Sequence, residues 1–298
     1  MKKSLYTALA LLLVSAVFVN CQKDGVFNPK KKINKIYKSH EGGKYLIEEW
    51  TWEGNLLGKI AYCNDTNVLR KAYYFYDKKQ LVRVENTNDL SYVLISYNKS
   101  QYDKMDFYTK YDRKVRSYTF TYDKKKISKI DVTVYKNPAK SAMSIEDDIM
   151  SAFIPKIILE ETNKLMMGSP LWKSDGDDVF VYTLKYDGDN VVEWKISDAN
   201  ETKLKETVFQ YSSYDKNMNP YYMSNPTDGT NPVSFTFCKN NPLQMTRTQY
   251  VANEKIASFT FDYIYKYDDK KYPTEVIEKQ IGESYTNSDT TYYEYINK

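Results

Sequence analysis

The side chains in this chain that could do chemistry are unevenly supplied. There are 39 acidic residues but a single histidine, His40, which sits in the polar stretch KSHEGGK and reads as a loop residue. No zinc pattern, no Cys/His or Ser/His pairing and no nucleophile elbow is visible, and no cofactor motif is present. The acids of Trp172–Asp178, WKSDGDD, could gather calcium, but they lack the EF-hand ligand spacing and read as a solvated turn. Glycoside hydrolysis would need two carboxylates about 5–9.5 Å apart, and the sequence alone selects no pair. Aromatic rings are abundant instead, with 30 tyrosines and four tryptophans. Trp50, Trp52, Trp172 and Trp194 are candidate stacking platforms for a ligand. The competing expectation is that Trp50, Trp52 and Trp194 pack inside the fold.

One cysteine has a defined chemistry. Lys2 and Lys3 precede the apolar run Ala8–Val19, which has the layout of an export signal. The run is shorter than the ~20 residues of a membrane-spanning helix, and no A-x-A site follows it. It ends in Phe18-Val19-Asn20-Cys21. This resembles a bacterial lipobox, with Phe18 where Leu is usual and Asn20 where a small residue is usual. Residues 1–20 are therefore expected to be a lipoprotein signal peptide and Cys21 the acylated residue. Each buried methylene contributes ~0.8 kcal/mol, so several acyl chains would hold firmly to a membrane. Gln22-Lys23-Asp24 resembles a surface-export signal. The expected location is the outer membrane, facing the cell exterior, with the periplasmic face as the alternative. Residues 21–43 read as a tether, with Lys30–Lys32 as its solvated basic run. Cys63 and Cys238 end predicted strands, and an exported chain could pair them; spacing alone leaves that open.

The elements that must carry these residues follow one pattern. In YTFTYDKKKISKI, Tyr118–Ile130, the residues Tyr118, Phe120 and Tyr122 alternate with Thr119 and Thr121. Period two is the signature of a half-buried strand. An aromatic–acid pair then opens a turn, since Asp and Asn bond the backbone locally and tolerate unusual dihedrals. Apolar residues follow five and eight positions after the aromatic: Ile127 and Ile130 after Tyr122, Leu81 and Val84 after Tyr76, Val191 and Trp194 after Tyr186, Leu57 and Ile60 after Trp52. Tyr97 gives a weaker copy with Tyr102 and Met105, and Tyr267 a late one. Such hairpins cannot bury their own apolar faces, so neighbours must pair in sequence. The prediction is an all-β fold, a large curved antiparallel meander or open barrel built from repeated hairpins, forming a single domain over residues 44–298.

Residues 144–167 break the pattern. Ser144 with Asp147 makes a helix cap, and Ile149, Phe153, Ile157 and Leu165 recur at helical spacing, divided by Pro155. One helical insertion is predicted there. The formal charge of +4 falls to +2 once Lys2 and Lys3 are removed. So balanced a chain implies no nucleic-acid partner.

The segments Tyr214-Asp215-Lys216-Asn217-Met218-Asn219-Pro220 and Tyr265-Lys266-Tyr267-Asp268-Asp269-Lys270-Lys271-Tyr272-Pro273-Thr274 carry a family likeness. From about Lys44 onward the chain resembles a family of Bacteroides-type surface lipoproteins with a porin-like β-meander fold. Lys271 departs from the glycine common before Tyr-Pro, and the helical insertion is a second departure. The resemblance implies a large curved sheet or open barrel, and it implies no activity and no catalytic residue. The expectation is a membrane-anchored binding or scaffold protein, non-enzymatic, with a glycan or protein partner at the surface. The alternatives are a glycan-acting hydrolase and a passive structural component of an outer-membrane complex.

Overall fold

A computed structural model describes residues 23–40, 43–87, 91–135, 178–199, 205–222, 236–282 and 286–296. The predicted signal peptide, Cys21, the predicted helix at 144–167 and Trp172 lie outside the described residues. Sixteen strands run through the described residues: β1 (Ile33–His40), β2 (Gly43–Glu53), β3 (Leu56–Asn64), β4 (Asn67–Asp77), β5 (Gln80–Asn86), β6 (Tyr92–Asn98), β7 (Gln101–Tyr108), β8 (Lys114–Asp123), β9 (Lys126–Val134), β10 (Asp178–Asp187), β11 (Asn190–Asp198), β12 (Lys205–Tyr214), β13 (Pro242–Val251), β14 (Glu254–Tyr267), β15 (Pro273–Ile281) and β16 (Thr286–Tyr295). Each pairs antiparallel with the next, and β1 pairs with β16, so the meander closes into a barrel. Closure removes the two unpaired edges an open sheet would expose. Residues 33–40, within the stretch read as a tether, are the strand that makes this closure.

The five-and-eight spacing has a local cause. Phe75 pairs with Arg83 but Tyr76 with Leu81, which leaves Val82 unpaired as a bulge. The same shift occurs beside Gly58, Asp103, Ser128 and Val192. One extra residue lets side chains three apart, such as Leu81 and Val84, both point inward, and both are fully buried. The core-facing set includes Trp194, Tyr118, Tyr182 and Phe209, all fully buried. Cys63 and Cys238 are buried free thiols.

The outer wall is polar. Ion pairs run along it, within one strand at Lys129–Asp131 (2.7 Å) and across strands at Lys185–Glu193 and Lys266–Glu275, both 2.8 Å. Apolar side chains such as Phe75 and Leu94 reach this face among the charges. Outer-membrane barrels that span lipid show the reverse, an apolar band outside and polar groups inside.

The aromatic–acid turns of the repeat all lie at one end, the turn rim. The segment before β1 and the connection between β12 and β13 fold into that end. Phe27 is buried with its ring centroid 5.7 Å from that of Trp52. Tyr221 is buried 6.2 Å from Trp50. Asp215 anchors the connection: its Oδ1 accepts the Asn217 and Asn241 amides at 3.0 Å, and its Oδ2 accepts the Tyr267 hydroxyl.

Candidate binding site at the turn rim

The corner aromatics staple each hairpin to the one before it. The bulge turns the ring inward at the rim, where its polar tip meets the backbone of the preceding hairpin. The Trp52 Nε1–H donates to the Ile33 carbonyl at 2.8 Å, and the Tyr76 hydroxyl donates to the Leu57 carbonyl at 2.9 Å. Tyr97 donates to Leu81, Tyr214 to Val191, and Tyr295 to Pro273 at 2.8 Å. Leu57, Leu81 and Val191 are the residues five after the preceding corner, so the repeat encodes both ends of the staple. In the next hairpin the Tyr122 hydroxyl accepts the Tyr102 amide at 3.0 Å and donates to Asp24 Oδ2 at 2.5 Å.

The ring breaks at Tyr186. By the same rule its hydroxyl would reach the Ile127 backbone, yet it makes no hydrogen bond among the described residues. A cavity of about 290 Å³ lies between these two residues, lined by Asp24, Gly25, Tyr102, Tyr122, Lys125, Lys126, Ile127, Tyr186, Asp189, Tyr222, Thr236 and Phe237. Five of its lining residues are aromatic, and Lys125, Lys126 and Asp189 bring charge to it. The Lys126 ammonium lies 5.1 Å above the Tyr186 ring, donates to the Gly188 carbonyl and stands 3.7 Å from Asp189. Lys239 meets the same carboxylate at 3.3 Å.

Burial sets the electrostatics. It raises the Asp24 pKa, opposed by the hydrogen bonds from Tyr122 and the Tyr102 amide. Burial also pushes the Tyr186 hydroxyl well above its ordinary range, with Cys238 and Asp24 adding to the effect. Tyr186 is therefore a neutral donor and acceptor at physiological pH. Cys238 is pushed up to about 12 by burial, against hydrogen bonds with Tyr214 and the Val191 amide, so its thiol stays protonated at physiological pH. Among the described residues no group of three His, Cys, Asp or Glu side chains could hold a metal ion. The site offers aromatic faces, hydroxyls, an ammonium and carboxylates, which suits non-covalent recognition of a small polar ring.

The candidate stacking residues lie elsewhere. Trp50 is 2% exposed and its Nε1–H donates to the buried Glu48 carboxylate at 2.7 Å. Trp194 is fully buried, stacked 6.4 Å from Phe237. Trp52 is half-buried against Phe27, with the Lys32 ammonium 5.4 Å from its ring. None of the three lines the Tyr186 cavity. Sequence reasoning missed Tyr186, Asp24 and Lys126 as a site, although a signal was present. Corners Trp52, Tyr76, Tyr97 and Tyr122 follow one another at 21 to 25 residues, whereas Tyr186 comes 64 residues after Tyr122. The staple is missing at the corner with the longest interval before it; Tyr267, 53 residues after Tyr214, still bonds Asp215.

The chain matches no family model and no curated protein. Among solved structures it is similar to a porin-like protein from Bacteroides vulgatus, with a TM-score of 0.51 and 10% identity over 90% of this chain and 100% of that one. It is also similar to a porin-like protein from Bacteroides uniformis, with a TM-score of 0.50 and 9% identity over 92% of this chain and 100% of that one. At these identities the shared property is the fold.

Proposed function

We propose that this chain is an exported binding protein, lipid-anchored through Cys21 at the outer membrane, whose ligand is a sugar residue seated in the Tyr186 cavity. The observation that carries this reading is the break in the staple ring, which leaves the half-buried Tyr186 with a hydroxyl that has no partner among the described residues, at the wall of a cavity rich in aromatic rings. A sugar presents an apolar ring face to tyrosine and phenylalanine walls, and a hydroxyl edge to Tyr186, Asp24 and Lys126. The polar outer wall supports a barrel held at the membrane rather than one spanning it, because charged side chains on a lipid face cost roughly 2–4 kcal/mol each at the midplane. The porin-like description of the similar structures supports the outer membrane as the location.

The test is retention on a panel of immobilised polysaccharides. Tyr186→Phe removes the hydroxyl and should weaken retention, and Tyr186→Ala should abolish it. Retention by no member of the panel, or equal retention by parent and Tyr186→Ala, would refute the sugar reading.

One observation favours a second reading. Two carboxylates, Asp24 and Asp189, line the same cavity, and burial raises the pKa of Asp24, as a general acid requires. A glycoside hydrolase would release reducing sugar from a retained polysaccharide and lose that activity in Asp189→Asn. Retention without release leaves the binding reading.

A further inference from the structure

Exposed lysines gather at the tips of one end of the barrel. Lys78, Lys79, Lys99, Lys124, Lys270 and Lys271 occupy tips of the turn rim; all six are exposed and none is in an ion pair among the described residues, although acids such as Asp77, Asp123, Asp187 and Asp269 share these turns. At the far rim the described turns hold Asp65, Asp112 and Glu254 against Lys110 and Arg113, and no lysine of these turns has a positive φ.

The backbone makes the same distinction. Lys78, Lys79, Lys99, Lys124 and Lys271 have φ of 47°, 74°, 60°, 59° and 64°. This left-handed region suits glycine and, less well, Asn and Asp. Equivalent turn positions hold Gly54 and Gly188, and far-rim positions of this kind hold Asp65, Asp112 and Asn253, besides Ala252. Among the described residues, every non-glycine residue in that conformation on the turn rim is lysine. Charge is kept there against the local backbone preference, which points to a use for it.

Chain length fixes which way this rim faces. Asp24 is pinned by its amide to the Ser100 carbonyl at 2.9 Å and by its carboxylate to Tyr122. Cys21 is three residues away, so an acylated sulfur stays within about 10 Å of the rim. We infer that the turn rim is a membrane-docking surface, its lysines seated on the anionic phosphates of the headgroup layer that holds the anchor. The direction of the rim rests on the anchored reading above, while the placing of lysines at its left-handed tips does not. Docking in this way turns the Tyr186 cavity toward the headgroup layer, so the sugar it takes would be one borne on that layer.

The chain from Gln22 onward suffices for a test, since β1 to β16 close the barrel without any earlier residue. It is mixed with vesicles containing phosphatidylglycerol and with vesicles of phosphatidylcholine alone. Binding is expected to the first only, and to fall as salt rises from about 0.05 to 0.5 M. Replacing Lys78, Lys79, Lys99, Lys124 and Lys271 together by Asn should weaken binding roughly a thousandfold or more, at about fivefold per lysine. That variant should melt no lower than the parent, because Asn tolerates the left-handed region better than lysine. Lys110→Gln with Lys255→Gln, at the far rim, should bind as the parent does. Equal binding to both vesicle types, no binding to the anionic ones, or parental binding by the five-Asn variant would overturn the inference. Polysaccharide retention by the five-Asn variant, measured in parallel, tests the cavity separately.

Discussion

The Tyr122 hydroxyl donates to Asp24 Oδ2 at 2.5 Å across 98 residues of sequence, and the Tyr102 amide is shared between that oxygen at 3.1 Å and the Tyr122 hydroxyl at 3.0 Å. Three groups from three parts of the chain therefore meet at one point of the turn rim. Elsewhere the staple joins strand to strand. Here it joins the barrel to the segment that precedes it, and this contact closes one side of the Tyr186 cavity.

The contact should be sensitive to pH with a defined sign. Burial raises the Asp24 pKa, outweighing the hydrogen bonds from Tyr122 and the Tyr102 amide. The folded state thus binds this proton more readily than the unfolded state. The stability it contributes is full below the unfolded carboxylate's pKa and is lost as pH rises through the folded value. Asp24→Asn keeps an acceptor for Tyr122 but cannot ionise. Thermal melts between about pH 4 and pH 7 should show the parent losing stability relative to Asp24→Asn as pH rises. An unchanging difference would mean that Asp24 does not titrate in this way.

The staples predict a contrast among tyrosines of the same repeat. Tyr76→Phe and Tyr295→Phe each remove a hydrogen bond to a backbone carbonyl, at Leu57 and Pro273 respectively. Each should cost about 1–2 kcal/mol, the range for a lost bond that leaves a partly buried acceptor unpaired. Tyr186→Phe removes a hydroxyl that has no such partner among the described residues and should change stability by less than about 0.5 kcal/mol. Urea denaturation of the three variants measures this. A cost for Tyr186→Phe equal to the others would show that its hydroxyl is bonded.

Gly25→Ala should undock the segment before β1. A Cβ at Gly25 would fall 2.0 Å from the Tyr97 hydroxyl oxygen, and Gly25 has a φ of 73°. Tyr97 cannot easily yield, because its hydroxyl is bonded to the Leu81 carbonyl while the Leu81 amide donates to the Gly25 carbonyl at 2.9 Å. A loss of about 2 kcal/mol or more is expected from the clash and the backbone strain together. Limited trypsin digestion reads it out directly. The parent should be slow to cleave at Lys31 and Lys32, which contact Asp268 and Gly54, and the variant fast.

The hairpins were legible because their signals are local. Alternation in Tyr118–Tyr122 and the turn chemistry of Tyr122-Asp123 lie within one hairpin, and both decide strand and turn without reference to the rest of the chain. Apolar residues at plus five and plus eight, three apart in a strand, even contained the bulge at Ser128, because period two cannot place Ile127 and Ile130 on one face otherwise. Closure was not legible. It depends on Ile36 meeting Tyr293 and Ile33 meeting Tyr295, pairings between the two ends of the sequence. With only Ile33 and Ile36 apolar in a lysine-rich stretch, residues 33–40 read as a tether. Whether Trp50 and Trp194 face water or core was undecided for the same reason, since an inner face exists only once the barrel closes. The cavity depends further on Asp24 and Phe237, from segments with no repeat of their own.

The outer wall should titrate with the opposite sign to Asp24. Asp106 accepts the Lys114 ammonium at 2.8 Å and the Ser117 hydroxyl at 2.6 Å, with Lys104 at 3.5 Å. Burial would raise its pKa, but the hydrogen bonds from Lys114 and Ser117, with the charges of both lysines, outweigh burial and hold it below the usual carboxylate range. Its contribution is therefore present above the unfolded pKa and lost as pH falls through the folded value. Because the group is partly exposed, Asp106→Asn should cost only about 0.5–1 kcal/mol at neutral pH, and nothing in acid. Melts of parent and variant at the two extremes measure that difference. The result also bears on which solvent bathes the wall. A carboxylate facing water follows bulk pH in this way, whereas one held in hydrocarbon would stay protonated. A cost for Asp106→Asn that did not change with pH would therefore count against a barrel seated outside the bilayer.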